Sequence, residues 1–169
     1  MTTWFTADYH FNHTNIIKYC ERPFKDIEEM NYEIMKRHNE VVQPDDTVYN
    51  LGDFTLGGIE FFLPFYTQLN GTVIIVPGGH DHRWINAETF SYCADPLVSL
   101  EFDIGEERPL VVVLCHYALR VWDRSHYNSI HLYGHSHGNL PSWPNSMDVG
   151  VDCHNFYPVS LDEIRTTLQ

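Results

Sequence analysis

Five short clusters of acid, imidazole and glycine punctuate the chain: Asp8-Tyr9-His10, Gly52-Asp53, Gly78-Gly79-His80-Asp81, His116, and Gly134-His135-Ser136-His137-Gly138. Carboxylate and imidazole together form a donor set suited to Mn, Fe, Zn or Ni. Two such ions about 3.5–4 Å apart can clamp an in-line phosphoryl displacement. One carboxylate has to bridge such a pair, and a single isolated Asp on its own loop can do that. Eleven histidines are many for 169 residues, and several stand beside Asp or Gly rather than within apolar patterns. Taken singly, Asp8 with His10 reads first as a strand-end turn, and Gly52-Asp53 as a simple turn. His116, between Cys115 and Tyr117, reads equally as a core histidine. The two histidines between glycines, His135 and His137, have no packing purpose.

The elements that must position these residues alternate between strand-like and helix-like runs, which favours a layered α/β architecture in a single domain over 1–169. Strands are expected at Thr3–Ala7, Thr47–Leu51, Thr72–Val76, Leu97–Ile104, Leu110–Cys115, Ile130–Tyr133 and Met147–Val151. A helix is expected over Asp26–Val42, where Ile27, Met30, Ile34, His38 and Val41 recur at helical spacing and Asp26 can cap the start. A second is expected over Ile59–Leu69, and Ser160-Leu161-Asp162-Glu163 opens a third with a capping box. Strand-like runs repeatedly end in Asp, His or Gly. In layered α/β folds the loops beyond the carboxyl ends of strands form the ligand crevice. In an extended segment Asp8 and His10 would share one side, because side chains there alternate with period two.

The five clusters, in this order and spanning nearly the whole chain, resemble the pattern of the calcineurin-like metallophosphoesterase family: D-x-H, G-D, G-N-H-D, a lone His, and G-H-x-H. Asn15-Ile16-Ile17-Lys18-Tyr19, Arg22-Pro23-Phe24 and Asp148-Val149-Gly150-Val151-Asp152 are similar to a compact bacterial or phage-type subgroup. The resemblance implies a four-layer α/β/β/α sandwich with two central mixed sheets. It implies a first metal held by Asp8, His10, Asp53 and His137, and a second held by Asp53, His116 and His135. His80 would assist the leaving group as the catalytic histidine, with Asp81 holding its ring in the useful tautomer. A metal-bridging hydroxide would attack phosphorus. The cofactors would be two divalent ions, manganese first, with Fe, Zn, Ni or Co as alternatives.

Gly79 departs from the pattern, since the family's Asn there supplies an amide oxygen to the second metal. A weaker second site follows, or one completed by water or a neighbour such as Asn12, and Gly79→Asn should tighten the second ion. A metal-binding scaffold with little catalysis is the reading this departure favours, and retained His80 and Asp81 oppose it. Asn12, His13, Arg22 and Gly79 are the candidate substrate contacts. Against that, Asn12 and His13 can cap a helix starting near Thr14, and Arg22 can form a surface ion pair. His82 and His126 are candidates for the mouth of the site.

The net charge of -13, with ten basic residues and no basic run, disfavours long nucleic acid. It leaves a small phosphoester as the expected partner, a phosphodiester ahead of a monoester or a short oligonucleotide. The start of the chain lacks the pattern of a signal peptide, and no apolar run reaches membrane-spanning length. Four cysteines without regular spacing are then expected as reduced thiols in a cytoplasm.

Overall fold

The computed structural model describes residues 1–86 and 89–168. In chain order the first elements are β1 (Thr3–Thr6), α1 (Ile16–Tyr19), α2 (Ile27–Val41), β2 (Thr47–Asn50), α3 (Ile59–Tyr66) and β3 (Thr72–Ile75). They are followed by β4 (Leu97–Phe102), β5 (Leu110–Cys115), β6 (Ile130–Tyr133), β7 (Ser146–Asp148), β8 (Val159–Ser160) and α4 (Leu161–Leu168). The fold is α/β, with two mixed sheets of four strands each.

In the first sheet, ordered β3-β2-β1-β8, the first three strands are parallel and β8 is antiparallel. In the second, ordered β4-β5-β6-β7, β5, β6 and β7 are parallel and β4 is antiparallel. The parallel strands of each sheet therefore end along one edge. The two edges meet where Ala7, just past β1, bridges in parallel to Gly150, with Val151 N–H donating to Ala7 O at 3.1 Å.

Helix α2 forms as its periodicity demands. Asp26 accepts a hydrogen bond from Glu29 N at 2.9 Å, and Met30, Ile34 and His38 bury one stripe. Helix α3 stops at Tyr66, three residues before Leu69, where Pro64 removes a backbone donor and the Thr67 hydroxyl turns back onto Leu63 O. Strand β7 ends at Asp148 rather than Val151, because the chain leaves the second sheet there to reach Ala7. The capping box at Ser160 forms, with Ser160 N and Oγ donating to Glu163 Oε2.

One apolar cluster lies between the first sheet and helices α1 to α3, and includes Ile16, Met30, Ile34, Val48, Phe62 and Val73. The other lies between the sheets, from Phe5, Ala7 and Leu51 to Val112, Leu114, Ile130 and Leu132, and takes in Ile164 of α4. Each fully buried Phe, Leu or Ile here contributes about 1.5–3 kcal/mol, so both sheets are held as a rigid platform for the loops at their shared edge. Among the described residues no helix is long and apolar enough to cross a membrane.

Candidate metal centre

Asp8 follows β1, Asp53 follows β2, His80 follows β3, His116 follows β5, and His135 and His137 follow β6. Four of these six stand in left-handed backbone, Asp8 at φ 60°, Asp53 at 52°, His135 at 66° and His137 at 47°, and so does His10 at 53°. Non-glycine residues there cost about 1–3 kcal/mol each and persist where the surroundings over-determine them. The expectation that Asp8 and His10 share one face of an extended segment is thus corrected. The strand has ended at Thr6, and the turns themselves aim the side chains inward. His135 and His137 likewise turn towards different groups.

Two of the four donor groups among the described residues consist wholly of the expected ligands. Asp8, His10 and His137 bring ligand atoms within 4.8 Å of one another, and so do Asp53, His116 and His135. Asp53 joins the sets: its Oδ2 lies 3.7 Å from His10 Nε2, 3.5 Å from His116 Nε2 and 4.0 Å from His80 Nε2. These spacings are too long for hydrogen bonds. They approach the spacing of about 3–3.5 Å between donors that share a cation at about 2.1 Å. Asp8 Oδ1, His10 Nε2 and His116 Nε2 are buried with no hydrogen-bond partner. Orphaned buried donors and acceptors are rare and costly, and a cation in each set would satisfy all three. The residues therefore fit metal ions.

Burial shapes the electrostatics. It pushes the Asp8 carboxyl up to about 7, against the charges of His137 and His116. It holds His10 well below the usual imidazole value, so that ring is neutral and able to coordinate. Burial also raises Asp53, but the imidazoles of His116 and His10 and the His80 N–H outweigh it and hold the carboxyl well below its usual range.

An outer ring of residues fixes these donors. His137 Nδ1 bonds Asp152 Oδ2 at 2.7 Å, leaving Nε2 for a cation. His116 Nδ1 donates to Leu51 O at 2.7 Å. Asp8 Oδ2 accepts from His135 N at 2.8 Å, and Asp148 accepts from Ser136 Oγ, Gly138 N and Gly150 N, so both carboxylates clasp the last histidine loop. Gly134 is needed here, because a Cβ would strike Ala7 and Asp8. Tyr9, between Asp8 and His10, is buried and bonds His38 Nδ1 at 2.6 Å through its hydroxyl, tying the first loop to α2. Asp148 and Asp152 were not among the expected site residues. Their signal was the repeated acid in Asp148-Val149-Gly150-Val151-Asp152, which lacks the histidine that marks the other loops.

Several expected roles change. The two oxygens of Asp81 accept from Asp53 N, Gly78 N, Phe54 N and Trp84 Nε1 at 2.8–3.0 Å. All its acceptor capacity goes to pinning the Asp53 loop against the His80 loop, so it does not hold the His80 ring. Arg22 is neither a phosphate contact nor a surface residue. It is buried, pairs with both Asp152 oxygens at 2.8 Å, and donates to Asp8 O and Tyr9 O. Asn12 is tied to Asn31 through its N–H and its amide oxygen, which removes it as the replacement for the missing amide. His13 does join the site: its Nδ1 lies 3.2 Å from His10 Nδ1 and its ring centroid 5.7 Å from His80. His82 is exposed beside the His80 loop, with Nδ1 2.8 Å from Gly79 O. His126 is far from the mouth. It lines a separate cleft with Arg108, Arg124 and Tyr127 at the opposite end of β5 and β6.

Asp152→Asn should weaken the cation at Asp8, His10 and His137 by about 10–100-fold, the usual cost of losing a carboxylate behind a ligating histidine. Isothermal titration of the metal-stripped variant with Mn²⁺ measures it, and the Asp53, His116, His135 set should be unaffected.

No family model matches the chain. It is 33% identical over 167 residues to the uncharacterized protein MJ1445 of Methanocaldococcus jannaschii, covering 94% of this chain and 86% of that one. It is 32% identical over 82 residues to the gene 66 protein of Mycobacterium phage L5, covering 47% of this chain and 39% of that one. The crystal structure of AQ665, a protein of unknown function from Aquifex aeolicus, shares the fold at a TM-score of 0.75 and 24% identity, covering 98% of each chain. The chain thus belongs to the same family as MJ1445 of Methanocaldococcus jannaschii.

Proposed function

We propose that this protein is a phosphoesterase of the calcineurin-like type that works with two divalent cations, manganese first, on a small phosphodiester. The observation that carries the reading is Asp53 Oδ2, placed between His10 Nε2 at 3.7 Å and His116 Nε2 at 3.5 Å, one carboxylate shared by two donor sets. Asp8, His10, Asp53 and His137 would hold one ion, and Asp53, His116 and His135 the other. Bound there, the pair would neutralise phosphoryl charge and activate a water nucleophile.

The remaining chemistry belongs to the chain. His80 is more than a third exposed on its side chain, with its ring 5.5 Å from His10, so it reaches the open face where a leaving group would sit. Its backbone N–H donates to Asp53 Oδ1 at 2.8 Å, which fixes the loop while leaving the ring free to give a proton. His13, beside His10 and His80, lines the same face. Asp81 and Arg22 position the loops and touch no substrate.

The fold this reading implies is a four-layer α/β/β/α sandwich. Helices α1 to α3 cover the first sheet. Residues 117–129 lie on the outer face of the second, where Trp122 packs on His131 at 5.2 Å and Arg124 reaches Glu101 at 2.7 Å. That loop takes the place of a fourth, helical layer.

A metal-titrated assay on an aryl phosphodiester tests the reading. Turnover should appear with Mn²⁺, and His80→Asn should lower kcat by about 10²–10⁴-fold with the number of bound ions unchanged. Two bound ions with no turnover in Mn, Ni, Co or Zn would establish a metal-bearing scaffold instead.

A further inference from the structure

Gly79 leaves one side of the Asp53, His116, His135 set without a side chain. A Cβ built at Gly79 meets two atoms within 4 Å, Tyr117 Oη at 3.3 Å and Asp53 Oδ1 at 3.9 Å. The space a longer residue would use is therefore already approached by a phenol oxygen. Tyr117 follows His116 directly, and its ring stands edge-on against both imidazoles of the set, 4.8 Å from His116 and 4.9 Å from His135. The residue is 48% exposed, so the ring is not held there by core packing. Among the described residues its hydroxyl makes no hydrogen bond.

We infer that Tyr117 Oη is a further protein donor to the cation of the Asp53, His116, His135 set, and that Gly79 is small so that this oxygen can approach. The inference rests on the two-cation reading above and names a ligand within it. A glycine opposite an inert tyrosine would have no such reason to stay bare. With Tyr117 the set gains oxygen from the side that Gly79 leaves open, in addition to one carboxylate and two imidazoles. The two positions then act as a pair: an oxygen can come from residue 79 or from residue 117, and at 3.3 Å a side chain at 79 would crowd the hydroxyl.

Calorimetric titration with Mn²⁺, together with metal counting by mass spectrometry, tests the pairing in the metal-stripped full chain. Wild type should bind two ions. Tyr117→Phe should keep one affinity and weaken the other by about tenfold or more. Tyr117→Phe combined with Gly79→Asn should restore it, a recovery that loss of ring packing alone would not give. The thermal midpoint of metal-free Tyr117→Phe should match wild type, since a half-exposed ring is retained. Two unchanged affinities in Tyr117→Phe, or no recovery in the double variant, would overturn the role of Tyr117 while leaving the two-cation reading intact. Fewer than two ions in wild type would defeat that reading, and the inference with it.

Discussion

Asp53→Asn is expected to lower turnover on an aryl phosphodiester by about 10³-fold or more, equivalent to about 4 kcal/mol of barrier, and to weaken both cations together. The reason is geometric. Asp53 Oδ2 lies within 4 Å of both His10 Nε2 and His116 Nε2, so removing its charge touches both donor sets. The variant should still fold, because an asparagine retains an Oδ1 to accept the His80 N–H. Asp8→Asn provides the contrast. Asp8 stands with His10 and His137, so its loss should weaken one ion and leave the other. Paired Mn²⁺ titrations of the two variants read the difference directly.

The second large effect is on stability. Asp81→Ala leaves Asp53 N, Gly78 N, Phe54 N and Trp84 Nε1 without their acceptor, all around a fully buried site. Each unsatisfied buried donor costs about 1–3 kcal/mol, so a loss of at least about 3 kcal/mol is expected even if water reaches some of them. Set against the about 5–15 kcal/mol of a typical domain, that is a severe change. Urea denaturation of the metal-free chain measures it. A carboxylate that merely set the tautomer of His80 would behave differently, with stability unchanged and only kcat reduced. The expected sign is the reverse, with unfolding affected first and turnover lost because the Asp53 loop is no longer fixed.

Much of the arrangement was legible in residue types. Asp8, His10, Asp53, His116, His135 and His137 each follow a strand, and parallel pairing within each sheet delivers them to one edge. Helix α2 was readable because Asp26 caps it and Met30, Ile34 and His38 repeat at four-residue spacing. What the sequence hid was tertiary. Nothing local to Arg22 shows that it pairs with Asp152, 130 residues away, or that the pair stands behind His137. Nothing local to Asp81 shows that its oxygens face the backbone of another loop. The left-handed turns at Asp8 and His10 were hidden too, since neither is a glycine and alternation alone suggests an extended strand. Strand β8 has two residues and no periodicity to detect; it exists because β1 offers it an edge. The role of Gly79 became concrete only when the oxygen above it could be named.

The central claim is that side chains from four separate loops share a pair of adjacent cations. Anomalous diffraction from crystals grown with Mn²⁺ tests it most directly. Two peaks should appear, one among Asp8, His10, Asp53 and His137 and the other among Asp53, His116 and His135, with Asp53 touching both. A map with no peak at these residues, or with ions bound only elsewhere on the acidic surface, would contradict it.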